Sequence, residues 1–125
     1  MLKKRLGAEA IEKEGLWGVN VIGLYYKIPP TLIIPEGCEE IGYAAFWKCL
    51  RLKKVIIPKS LKRIGDYSFR ICSGLEEVVI PENVEEIGRN AFWRCSNATI
   101  ILEKPESEFE YIESGAFYLC KNVVC

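Results

Sequence analysis

Leu52-Lys53-Lys54-Val55-Ile56-Ile57-Pro58-Lys59-Ser60-Leu61-Lys62-Arg63-Ile64-Gly65-Asp66-Tyr67-Ser68-Phe69-Arg70-Ile71-Cys72 is one copy of a pattern that runs through most of the chain. A step of 23 residues carries Pro58 to Pro35 and Pro81, and Gly65 to Gly42 and Gly88. The same step carries Phe69 to Phe46 and Phe92, and Cys72 to Cys49 and Cys95. A fourth copy arrives two residues late, with Ile112, Phe117 and Cys120. A fixed period of this length means stacked coils, none of which can bury its apolar face without a neighbour.

Within a copy, Leu52 to Ile57 and Leu75 to Ile80 read as short β-branched strands, each ended by a proline that cannot donate to a ladder. Equivalent strands one coil apart pair in parallel, about 4.7–4.9 Å from each other. The chain should return through an Ile-Gly turn and then a helical or 3₁₀ turn around Ala45-Phe46, Ser68-Phe69 and Ala91-Phe92. Glycine in the Ile-Gly pair serves either a positive φ or a close approach of two coils. The expected inward ladders are Leu32/Val55/Val78, Ile34/Ile57/Ile80, Ile41/Ile64/Ile87/Ile112 and Phe46/Phe69/Phe92/Phe117. Thr99 to Leu102 keeps its alternation if one residue is lost before it and three are gained around Glu103 to Glu108, which makes that insertion a loop. Residues 1–30 read as an N-terminal cap and degenerate first coil, with a short helix over 2–14 and a β-rich stretch over 19–28. Four coils follow, at 31–53, 54–76, 77–99 and 100–125, the whole forming one domain.

The pattern Leu52-x-x-Val55-x-Ile57-Pro58-x-x-Leu61-x-x-Ile64-Gly65-x-x-Ser68-Phe69-x-x-Cys72, nearly repeated from Leu75 to Cys95, resembles the BspA-like leucine-rich repeat family. The resemblance implies a short right-handed α/β solenoid, with a parallel sheet on the concave face and helical or 3₁₀ turns on the convex face. It also implies a part of a bacterial surface protein that binds other proteins, with no fixed set of ligand residues.

Composition narrows the function further. Lys plus Arg balance Asp plus Glu at 17 each, so no net field draws the chain to nucleic acid or an anionic membrane. Histidine is absent, which removes the commonest general base and metal ligand. Nucleophile elbows and glycine-rich phosphate loops are missing too. The reading is therefore a non-enzymatic chain with no cofactor and no catalytic or metal site. The apolar stretch from Leu16 to Pro35 contains Asn20, Lys27 and Pro29-Pro30, so membrane insertion is not expected. Acidic residues from Glu9 to Glu14 occupy the place of a signal peptide's apolar region. A full-length chain would then be soluble and cytoplasmic, and a fragment of a longer family member would be secreted or on the cell surface.

The six cysteines include a column at Cys49, Cys72, Cys95 and Cys120, for which close-packed buried thiols outweigh a zinc site. Cys38 aligns with Leu61, Val84 and Phe109 as core, and Cys125 is the exposed thiol. Charges alternate from coil to coil, Glu39-Glu40 over Lys62-Arg63 over Glu85-Glu86 and Lys53-Lys54 beside Glu76-Glu77, which sets stacking order rather than acid–base chemistry.

Two rows face outward and are the candidate partner sites. On the strands, Ile33, Ile56, Val79 and Ile101 form a β-branched stripe, flanked by Lys54 and Glu77. After each core Phe come Trp47, Arg70, Trp93 and Tyr118, where an Arg between two indoles can form a cation–π stack worth roughly 0.5–1 kcal/mol. The expected partner is a protein. Val123-Val124-Cys125, at the next strand position, offers an open edge through which a second copy could associate.

Overall fold

The computed structural model describes residues 30–125 and the backbone of Arg5–Leu6. Among these residues, ten short strands form two parallel five-stranded sheets. The broad sheet contains β2 (Thr31–Ile33), β4 (Lys54–Ile56), β6 (Glu77–Ile80), β8 (Thr99–Leu102) and β10 (Asn122–Val124). The narrow sheet contains β1 (Arg5–Leu6), β3 (Glu40–Ile41), β5 (Arg63–Ile64), β7 (Glu86–Ile87) and β9 (Tyr111–Ile112). Among the described residues successive strands thus alternate between the two sheets, and neighbouring strands within a sheet lie one turn of the chain apart.

The register follows the repeat. Val55 pairs with Leu32 and Val78, and Ile64 pairs with Ile41 and Ile87. The step shortens to 22 residues where Val78 meets Ile100, and lengthens to 25 where Ile87 meets Ile112. The loss of one residue and gain of three fall where the alternation requires them. The gained residues form a loop with a 3₁₀ turn at Glu106–Glu108.

The core is a set of columns running along the stack. Leu32, Val55, Val78 and Ile100 are buried, as are Ile41, Ile64 and Ile87, and Cys38, Leu61, Val84 and Phe109. Phe46, Phe69 and Phe92 stack with ring centroids 5.2 and 5.1 Å apart, and Phe117 extends the column at 6.1 Å. Offset stacking of this kind adds about 0.5–1.5 kcal/mol per pair beyond the buried area.

Three expectations need correction. The turns after the Ile-Gly pairs are not helical or 3₁₀, so the fold is a β-solenoid rather than an α/β one. Among the described residues the 3₁₀ turn at Glu106–Glu108 is the sole helical element, and it lies in the inserted loop. The cause is hydrogen-bond direction. The N–H groups of Tyr67, Phe69 and Ile71 donate across to Arg89, Ala91 and Trp93 at 2.8–2.9 Å, while those of Ser68, Arg70 and Cys72 close turns on Gly65, Tyr67 and Phe69. A helix would use all six donors inside one coil. Alternating them requires left-handed backbone at two positions per coil: Ala44 and Lys48, Tyr67 and Ile71, Asn90 and Arg94, Gly115 and Leu119. Each non-glycine residue there costs roughly 1–2 kcal/mol, which the bonds to the next coil offset.

The Ile-Gly pair, second, is not simply a turn, because its isoleucine lies in the narrow sheet. Its glycine serves close approach rather than a positive φ. A Cβ on Gly65 would stand 2.6 Å from the Ile41 carbonyl oxygen, and one on Gly88 would stand 2.6 Å from the Asp66 amide nitrogen. Third, Arg5–Leu6 falls inside the helix expected over 2–14 but is a strand, with Arg5 opposite Glu40 and Leu6 opposite Ile41. The remainder of the expected cap lies outside the described residues.

Candidate functional site

Alternation along β2, β4, β6 and β8 turns Leu32, Val55, Val78 and Ile100 inward and sets Ile33, Ile56, Val79 and Ile101 on the outer face of the broad sheet. Ile33 is 62% exposed and Ile56 43%, while Val79 and Ile101 are half-buried. Lys54 and Glu77 are exposed directly opposite one another on adjacent strands. Over Ile56 and Val79 lies an open cleft of about 360 Å³ whose margins include Lys54, Lys59, Glu77, Pro81 and Glu103. The stripe and its flanking charges are therefore brought together on one surface.

Lys59 is the member that sequence reasoning does not select, whereas the loop at 103–108 is expected at the edge of the stripe. Lys59 follows the strand-ending proline, outside the strand that carries the stripe. Glu103 opens the insertion, and its position beside the stripe depends on how that loop leaves β8. The insertion itself is the signal that points to it.

Trp47, Arg70, Trp93 and Tyr118 lie on the turn segments, away from the strands that carry the stripe. The Arg70 guanidinium sits 4.5 Å from the Trp93 ring centroid and 5.3 Å from that of Trp47. Arg94 also lies over Trp93, at 5.1 Å, and Tyr118 stacks on it at 6.3 Å. These rings and cations are engaged with each other. Their geometry supports stacking between coils directly.

No disulfide joins the cysteines among the described residues, and each of the three later ones in the column uses its thiol structurally. Cys72, Cys95 and Cys120 donate to the carbonyls of Phe46, Phe69 and Phe92 in the preceding coil, at 3.1, 3.0 and 3.2 Å. Cysteine at this position is thus both a small hydrophobe and a weak donor. Burial pushes Cys72 and Cys95 well above the ordinary thiol range, and Cys120 up to about 12, so all three stay protonated at neutral pH. Protonated, inward-facing thiols are poor nucleophiles and poor metal ligands.

Three of the carboxylates face cations. Arg63 bridges Glu40 at 3.6 Å and Glu86 at 3.8 Å, and Lys53 meets Glu76 at 3.7 Å. Such exposed pairs are worth about 0–1 kcal/mol, so their main effect is to order the coils. Among the described residues no group of three or more Asp, Glu or Cys is placed to hold a metal ion. None of their helices is long and apolar enough to cross a membrane.

A parallel stack of this period, with its proline, Ile-Gly, Phe and Cys columns, can be set against known proteins. A six-copy family model of the BspA-type leucine-rich repeat region matches residues 27–124. The chain belongs to the BspA-type leucine-rich repeat family. Two solved structures share this fold. One is a leucine-rich cell surface protein from Faecalibacterium prausnitzii A2-165, with a TM-score of 0.60 and 22% identity over 76% of this chain. The other is the T. pallidum leucine-rich repeat protein, with a TM-score of 0.60 and 20% identity over 76% of this chain. The match takes in 31% of the first protein and 58% of the second, so the chain spans less than two thirds of either. No curated protein matches the chain in sequence.

Proposed function

We propose that this chain is a non-catalytic protein-interaction module of a bacterial surface or adhesion-type protein, and that it binds through the outer face of the broad sheet. The observation that carries this reading is the cleft over Ile56 and Val79, where contiguous apolar surface lies open within a ring of charges. Leucine-rich repeat proteins generally act by binding other proteins, and one fold relative is described as a cell surface protein.

Immobilised protein should retain specific binders from a cell-envelope extract. Ile56→Lys and Val79→Ala should abolish that retention, with Ile56→Lys leaving the melting temperature unchanged because the side chain already faces water. Retention that survives both substitutions removes the sheet face as the site.

A second reading is favoured by a different observation. Tyr118, Leu119, Val123 and Val124 are all exposed large apolar residues on the last coil. In this reading the chain is a structural segment that self-associates through its C-terminal edge, with β10 pairing to a strand of a second copy.

A further inference from the structure

The turn side of the coils carries a charge imbalance that the neutral total of the chain hides. The segments 43–51, 66–74, 89–97 and 114–121 hold Lys48, Arg51, Arg70, Arg89, Arg94 and Lys121 against one carboxylate, Asp66. Asp66 and Glu113 lie at the margin toward the narrow sheet, where Asp66 already accepts the Arg89 backbone N–H at 2.9 Å. All six cations are exposed except the half-buried Arg70. Among the described residues no carboxylate forms an ion pair with any of them.

Three of these cations form a track along the stack. Backbone hydrogen bonds of 2.8 Å set Lys48 beside Arg70 and Arg94 beside Tyr118. Lys48 and Arg94 occupy the same left-handed position of the repeat two coils apart, and Arg70 lies on the coil between them. At about 4.7–4.9 Å per coil, the track is about 9.5 Å long. The Arg70 guanidinium lies over the rings of Trp47 and Trp93, and that of Arg94 lies over Trp93. A ring engages the face of a guanidinium and leaves the N–H groups along its edge for an anion.

We infer that this face binds a linear anionic polysaccharide, with carboxylate or sulfate groups seated on Lys48, Arg70 and Arg94. A single line of positive charge suits a narrow chain running along the stack. Ile71 and Leu119 fill the intervening and following coils of the Lys48–Arg94 column, and Tyr118 is exposed beside them. These side chains offer apolar contact to the C–H faces of sugar rings. Single-stranded nucleic acid needs open aromatic faces for its bases, and Trp93, within the row, is already covered by Arg70, Arg94 and Tyr118. The surface is separate from the broad-sheet cleft and does not rest on it.

Heparin, which bears both sulfate and carboxylate groups, is the probe, with dextran as the uncharged control. Titration at low ionic strength should give saturable binding to heparin and none to dextran, weakening as salt is added. The double variant Lys48→Gln, Arg94→Gln should bind heparin at least about ten-fold more weakly while keeping the far-UV circular dichroism of the unaltered protein. Lys54→Gln, Lys59→Gln removes the same charge from the broad sheet and should leave binding within about two-fold. Equal losses in the two double variants would make total charge the cause and overturn the assignment of this face. Absence of heparin binding, equal binding to dextran, or tighter binding to poly(dT) or to phosphatidylglycerol vesicles overturns the polysaccharide as occupant.

Discussion

Ser68 shows how the repeat exposes its own exceptions. It occupies the position held by Ala45, Ala91 and Ala116 in the other coils, and like Ala45 and Ala91 it is fully buried. Its hydroxyl has no hydrogen-bond partner among the described residues. A buried, unsatisfied hydroxyl costs about 1–3 kcal/mol, and the alanine coils show that the backbone accepts the smaller side chain. Ser68→Ala should therefore raise stability by about 1 kcal/mol in urea denaturation, and a loss of stability would show that the hydroxyl has a partner in solution. The cysteine column is the complementary case. A residue type that suggests chemistry in the sequence is placed by the fold where each later thiol donates to the preceding coil's phenylalanine carbonyl. Spacing predicts the burial. The hydrogen bond depends on three-dimensional placement and is not legible in the spacing.

At the scale of the element, the pair Ile87-Gly88 shows what one short segment contributes. Ile87 belongs to the narrow sheet and fills the core, while Gly88 allows the coil to rest on the backbone of Gly65 and Asp66. A methyl group at Gly88 would collide with atoms that cannot rotate away, including the Gly65 carbonyl carbon at 2.7 Å. Gly88→Ala should destabilise the protein by about 1–3 kcal/mol, the usual range for overpacking, and a neutral result in chemical denaturation would contradict this close contact. The expectation of helical turns failed at this same scale. Ala45-Phe46 and Ala91-Phe92 have acceptable helical propensity, but propensity describes one segment in isolation. Here each turn has a neighbouring coil that accepts every second N–H, and this bonding between coils overrides the local preference.

For the whole molecule, stacking order and the two ends of the stack matter most. β10 pairs with β8 on one side, and its own residues are exposed. If the self-association reading holds, sedimentation equilibrium should show a concentration-dependent dimer, and Val124→Lys should return it to monomer. A monomer up to high protein concentration would set that reading aside. The sequence by itself determined the period, the core columns, the alternation that points Ile33, Ile56, Val79 and Ile101 outward, and the places where a residue is lost and three are gained. It could do so because a strand of period two, repeated in register, fixes which side chains share a face. Only the tertiary structure decided that the turns are not helices, that glycine is needed for close approach, and that Lys59 joins Lys54, Glu77 and Glu103 around one cleft. Those features depend on distances between coils, and a linear pattern specifies which residues are neighbours without specifying how close they come.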